Sequence, residues 1–172
     1  AGLETLGMTK AMAAKEAIEK ANPAVRVKMF ETRFDASNAP DILAGADAAL
    51  DALDNIADRI RLGKACQKAR IPLVHAAIAG FEGQIMTIYP GEAGLESIYG
   101  DEPGEPGPEG SPEALMGVPA VTPSILASLQ VMETVKILLG RQKQCLRGRM
   151  LYVDLENMRF ETLKIQDALD QD

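Results

Sequence analysis

The chain has 172 residues, 47% of them hydrophobic and 25% charged, the balance of a water-soluble domain with a real core. Its net charge of -7, with no cluster of Lys and Arg, excludes nucleic acid as the main partner, because phosphate binding needs grouped cations. Two cysteines outside any CxxC pair and a single histidine exclude a disulfide framework and a Cys/His zinc site, and such sparing use of thiols fits a reducing cytoplasm.

From the amino end, Met8, Ala11, Met12, Ala14, Ile18 and Ala21 recur at spacings of three and four, which predicts an amphipathic helix from about Met8 to Ala21. Asn22-Pro23 stops it, since the residue before proline avoids helical geometry. Val25, Val27 and Met29 alternate with Arg26 and Lys28, a strand pattern, and Pro40 to Ala44 reads as a short helical piece. The small apolar run Ala46 to Leu53 is a candidate buried strand. A helix after Asp54-Asn55 runs to about Arg70, with Ile56, Ile60, Gly63, Cys66 and Ala69 as its stripe.

Pro72 opens a strand over Leu73 to Ala77, and Gly80 precedes a longer one from Phe81 to Tyr89. Strands and helices alternating in this way argue for a parallel sheet covered by helices. Residues 90–119 are rich in Gly, Pro and Glu and carry almost no apolar period, so a long loop is expected there. Thr122-Pro123 then starts a helix, with Thr as cap and an apolar face of Ile125, Leu126, Leu129, Met132, Val135, Leu138 and Leu139. Its Glu133 and Lys136 mark it as a buried helix and not a membrane span, and Gly140 ends it. Met150 to Leu155 and Met158 to Ile165 form a hairpin joined by Glu156-Asn157, with Asn as the residue suited to left-handed geometry. Residues 166–172 are an acidic tail, and 1–165 read as one domain.

Chemistry concentrates around Asp54. A carboxylate at the carboxyl end of a buried parallel strand sits where open α/β sheets bind ligands, and it suits Mg²⁺ on nucleotide phosphates. Asn55 adjoins it, and Arg59 lies one helical turn on. The plainer alternative makes Asp54 the helix cap and pairs Arg59 with Asp58 or Asp51 at the surface. No GxGxxG and no GxxxxGK[ST] occurs, which disfavours an ordinary dinucleotide oxidoreductase. His75, on an apolar strand, reads as structural, and Cys66 as core. Cys145 neighbours Lys143, Arg147 and Arg149, cations that lower a thiol pKa, though a plain free thiol in a surface turn is the simpler reading.

Several segments resemble the ThiF/MoeB/HesA family in their order along the chain. They are Gly7 to Ala11, Asn22-Pro23, Asp47 to Arg59, Ile71 to Val74, Phe81 to Ile85, Tyr89 to Gly91, and Ser128 to Gly140. The resemblance covers Gly7 to Ile165. It implies a Rossmann-like α/β fold: a mixed sheet with helices on both faces, parallel strands followed by a C-terminal antiparallel portion. It also implies ATP-dependent adenylation of the Gly-Gly carboxylate of a ubiquitin-like sulfur-carrier protein, by a cytoplasmic homodimer.

In the family pattern Lys10 matches the lysine that reaches the ATP phosphates, and Asp54 the aspartate that holds Mg²⁺ and acts in catalysis. Asn55 and Arg59 match the neighbouring nucleotide-site residues. The family's glycine-rich loop, ribose-binding acid and arginines precede the position of Gly7. These residues are therefore expected to be the carboxyl-terminal two-thirds of such a domain, binding ATP weakly or not at all by themselves. Leu95 to Ile98 stand where many members have CxxC, so no zinc site is expected, and the long loop lacks the cysteine of covalent carrier transfer. Activation is thus expected to stop at the adenylate, or sulfur to come from elsewhere. The alternative is a non-catalytic module of the same fold that docks a carrier or partner, favoured if no glycine-rich segment lies upstream.

Overall fold

The computed structural model describes residues 2–100 and 117–165. Two compact units emerge, Ala1–Phe34 and Asp35–Asp172.

In the first unit, helix α1 spans Lys10–Ala21. It begins later than the apolar spacing predicts because Thr9 caps it, its hydroxyl accepting from the Met12 amide at 3.2 Å. No residue of α1 is buried. The predicted strand at Val25 to Met29 does not form: the segment carries no ladder. A strand is completed by a neighbour's donors and acceptors, and the described residues of this unit contain no second strand.

The second unit is built on a five-stranded mixed sheet in the order β1-β2-β3-β4-β5. Its strands are β1 Ala49–Leu50, β2 Leu73–Ala79, β3 Glu82–Ile88, β4 Arg149–Asp154 and β5 Arg159–Lys164. Only β1 and β2 run parallel, joined through helix α3 (Ile56–Ala69), and the remaining pairs are antiparallel. The parallel portion is thus one pair. Gly80, at φ 57°, turns β2 straight back into β3 with no crossover helix between them.

Short α2 (Ala39–Leu43) packs against α3. Helix α4 (Glu96–Tyr99) lies in the described start of the long loop, while residues 101–116 and the acidic tail fall outside the described residues. Helix α5 spans Val121–Leu138, and Gly140 at φ 68° follows its end.

Alternation along β2 assigns one face of the sheet to each helix layer. Val74 and Ala76 join Ile85, Val153 and Leu126 of α5 in the apolar core. Leu73 points the other way, toward Gly63 of α3, where an added Cβ would lie 3.9 Å from it. Helices therefore cover both faces.

The buried stripe of α5 is Thr122, Leu126, Gln130 and Glu133, while Met132, Val135, Leu138 and Leu139 of the predicted apolar face are exposed. Thr122 is not the cap. Its hydroxyl donates to the Gly80 carbonyl at 2.9 Å and ties α5 to the β2–β3 turn. Gln130 Nε2 donates to the carbonyls of Asp51 (2.8 Å) and Val74 (3.1 Å), fixing α5 across the β1–β2 seam. In the β4–β5 turn the left-handed residue is Met158, at φ 54°, and not Asn157. Asn157 instead gives its amide and side-chain N–H groups to the Asp154 carboxylate.

Candidate functional site

The rim beyond the carboxyl end of β1 is organised by a buried carboxylate, that of Asp51. Asp51 is 1% exposed and continues the ladder, its amide donating to the Val74 carbonyl at 3.0 Å. Its Oδ1 accepts from the Leu53 amide at 2.9 Å. Arg59, on the first turn of α3, points inward and donates from Nε (3.1 Å) and Nη2 (2.7 Å) to the Leu53 carbonyl. Both backbone groups of Leu53 are thereby held, and the next residue is Asp54.

Asp54 is exposed. Asn55, not Asp54, caps α3: its Oδ1 accepts from the Asp58 amide at 2.8 Å, and its Nδ2 donates to Asp58 Oδ2 at 2.8 Å. The same Nδ2 lies 3.4 Å from Asp54 Oδ1. Asparagine wins the cap because the chain leaves the rim in extended geometry at this residue, φ -140° and ψ 147°. Asp54 is left to face solvent. A single exposed carboxylate with hard oxygen donors fits Mg²⁺, which keeps most of its waters and takes one or two protein carboxylates beside substrate phosphates.

Arg59 does pair with Asp51, at 3.7 Å, but in the interior and not at the surface. Asp54, Asn55 and Arg59 thus share one rim. Lys10 opens α1 in the first unit, where it is exposed.

His75 of β2 lies beneath the rim. It is fully buried, with Nδ1 2.6 Å from Asp51 Oδ2 and Nε2 3.1 Å from the Tyr99 hydroxyl. Gln84 Nε2 donates to that hydroxyl at 2.6 Å. Burial pushes the Tyr99 hydroxyl pKa up against the opposing pull of Arg59 and Gln84, so the phenol keeps its proton. Sequence reasoning offered Asp51 only as a surface partner of Arg59 and gave Gln84 and Tyr99 no role. The one available signal for a buried Asp51 was its place inside the small apolar run Ala46 to Leu53.

The cysteines are inert by environment. Cys66 is core, as expected, and burial, then the charge of Asp51, raises its pKa to about 11. Cys145 is buried instead of lying in a surface turn, and burial pushes its thiol up, overriding Lys136 and Arg147.

A model of the ThiF family matches residues 1–172. The chain is 37% identical over 161 residues to the SAMP-activating enzyme E1 of Haloferax volcanii, covering 93% of this chain and 58% of that protein. It is 33% identical over 170 residues to the sulfur carrier protein adenylyltransferase of Thermus thermophilus, covering 95% of this chain and 61% of that protein. The crystal structure of E. coli MccB with ATP superposes with a TM-score of 0.77 at 12% identity, over 99% of this chain and 52% of that one, a likeness of fold. The chain thus spans about six-tenths of the length of these two curated relatives. No described helix is long and apolar enough to cross a membrane.

Proposed function

The chain belongs to the ThiF family, and from that premise we propose that it supplies the metal- and phosphate-handling rim of an enzyme that adenylates the terminal Gly-Gly carboxylate of a ubiquitin-like sulfur-carrier protein. The observation that carries the reading is Asp54: an exposed carboxylate at the carboxyl end of a parallel strand, on a backbone held at Leu53 from both sides. Relatives named for activating SAMP and for adenylating a sulfur carrier support the substrate class.

ATP with Mg²⁺ supplies the electrophilic α-phosphorus, and its pyrophosphate leaves as the carrier's carboxylate oxygen bonds to that phosphorus. The chain's own part is to hold and to orient. Asp54 offers the carboxylate for Mg²⁺, and Lys10 offers an ammonium to the phosphates. Asn55, locked by its capping bonds, keeps an N–H beside Asp54 and would offer it to the nucleotide. Arg59 serves the nucleotide site indirectly, through the Leu53 carbonyl, because its guanidinium is buried. The assembly is a homodimer, for which the exposed Val131, Met132, Val135 and Leu138 of α5 offer apolar area.

ATP–pyrophosphate exchange tests the reading, using a Gly-Gly-ended carrier and these 172 residues joined to the family's glycine-rich segment. Exchange is expected only with the carrier present. Asp54→Ala is expected to lower it by about two to three orders of magnitude with the fold unchanged. An undiminished rate in that variant removes Asp54 from the site.

A further inference from the structure

Four side chains from four segments form one chain, buried at Asp51 and His75 and half-buried at Tyr99 and Gln84: Gln84 of β3, Tyr99 of α4, His75 of β2 and Asp51 after β1. Their chemistry fixes its direction. A carboxylate only accepts, so the proton between His75 and Asp51 resides on Nδ1. The Gln84 amide nitrogen and the Arg59 guanidinium only donate, so the Tyr99 oxygen accepts from both, and the Tyr99 O–H is left to donate to His75 Nε2. The Tyr99 ring stands edge-on to the imidazole, centroids 5.7 Å apart at 84°. Every buried side-chain nitrogen and oxygen among the described residues has a partner, so nothing here is slack.

The chain ends on the carboxylate that holds the rim. Asp51 gives Oδ2 to His75 and Oδ1 to the Leu53 amide. Rotating that carboxyl group to serve one partner less well moves the other. The Leu53 amide lies one residue before Asp54, and Asp54, being exposed, has little else to aim it.

We propose that His75 is the positioning residue for Asp54: it sets the Asp51 carboxyl rotamer that holds the Leu53 turn, and Tyr99 sets the His75 ring. The proposal deepens the adenylation reading, and its catalytic half rests on that reading. A loosened turn leaves Asn55, held by its own capping bonds, to bind nucleotide but averages the direction of the Asp54 carboxylate. The loss therefore falls on kcat for exchange and not on KM for ATP.

Two measurements decide it. Amide hydrogen exchange by NMR on the full chain reads the turn, comparing wild type with Tyr99→Phe, His75→Asn and His75→Ala. His75→Asn keeps a donor near the Nδ1 position, and it serves if the alanine variant fails to fold. Exchange at Leu53 is expected to quicken by about tenfold in Tyr99→Phe and more in His75→Ala, with His75→Asn restoring part of the protection, while Ile85 and Val153 amides stay protected. In the carrier-dependent assay kcat is expected to fall on the order of tenfold with KM for ATP nearly constant. Unchanged protection at Leu53 overturns the proposal, as does a loosened turn with wild-type kcat. A wild-type protein that catalyses no exchange removes the adenylation reading, and Leu53 protection then decides alone whether His75 holds the turn.

Discussion

Val74 and His75 are neighbours in β2, both fully buried, and they point to opposite faces of one sheet. On the α5 side Val74 meets Ile85, Leu126 and Val153, a cluster with no polar atom in its side chains. On the α3 side His75 meets Asp51 and Tyr99, with Arg59 behind them. Apolar packing loses stability in proportion to the volume removed and partly relaxes around a hole. A buried ionic network does not relax in that way, because each deletion strands a partner that water cannot reach. The rim that carries Asp54 rests on the unforgiving face, and the core that keeps the unit folded rests on the tolerant one.

The largest stability effect is expected where the polar face loses its anion. Asp51→Ala strips His75 Nδ1 of its acceptor and removes the carboxylate that pairs with the buried Arg59, which costs about 4 kcal/mol in urea unfolding. Asp51→Asn keeps an acceptor for the Leu53 amide and is expected to cost much less. Equal losses for the two variants mean that charge is not what matters there.

Leu126→Ala probes the other face. It opens a hole between Val74, Ile85 and Val153 and is expected to cost about 3 kcal/mol, with carrier-dependent exchange unchanged at temperatures where the protein stays folded. If this variant disturbs activity as much as changes at His75 do, the division of labour between the faces is wrong. Gly83→Ala adds to the same face. Its new Cβ would lie 2.7 Å from Leu126 Cγ, a branch point that cannot swing away cheaply, and the expected cost is about 2 kcal/mol. Combined with Leu126→Ala the clash disappears, so the double variant is expected to be more stable than the sum of the two predicts.

The same division explains what could be read from the residues alone. Local pattern gives the elements: spacings of three and four mark α3 and α5, and runs bounded by Pro72, Gly80 and Glu156-Asn157 mark β2, β3 and the β4–β5 hairpin, although the α5 spacing points to Met132, Val135 and Leu138, which the fold leaves exposed. Where a residue's fate depends on a partner far along the chain, pattern has nothing to act on. Asp51 is buried because His75, 24 residues later, donates to it. Val25 to Met29 alternate correctly, but no described strand in their unit supplies a ladder. Neither the cations near Cys145 in sequence nor its turn-like setting points to Tyr89, 56 residues away, which reaches its sulfur at 3.8 Å. Thr122 had the right identity for a cap, but the Gly80 carbonyl claimed its hydroxyl. The place of Asp54 at the end of β1 follows from order along the chain. The elements that aim it come from four separate segments.

Several polar residues are buried at the margin of the apolar face, and one of them, Glu133, gives the smallest of the expected effects. Glu133 of α5 is 3% exposed. Its Oε2 accepts from the Thr87 hydroxyl at 2.7 Å and from the Leu146 amide at 2.8 Å, and Lys136 pairs with its Oε1. Burial opposes its charge, but Lys136, the Leu146 amide and Thr87 together outweigh burial and hold the carboxyl below the usual glutamate range. A carboxylate whose folded pKa is depressed stabilises the fold in full above its unfolded value, near about 4.3. That contribution is lost as pH falls through the lower, folded value. Glu133→Gln is therefore expected to cost about 1 kcal/mol at neutral pH, the two neutral donors keeping an amide oxygen while Lys136 loses its charge partner. The gap between wild type and variant should narrow in urea titrations taken at successively lower pH. Other carboxylates also titrate in that range, but they do so in both proteins and cancel in the difference. A gap that stays constant from neutral pH into acid would mean that the ionised form contributes nothing beyond its hydrogen bonds, and Glu133 would then belong with the tolerant packing of the face it borders.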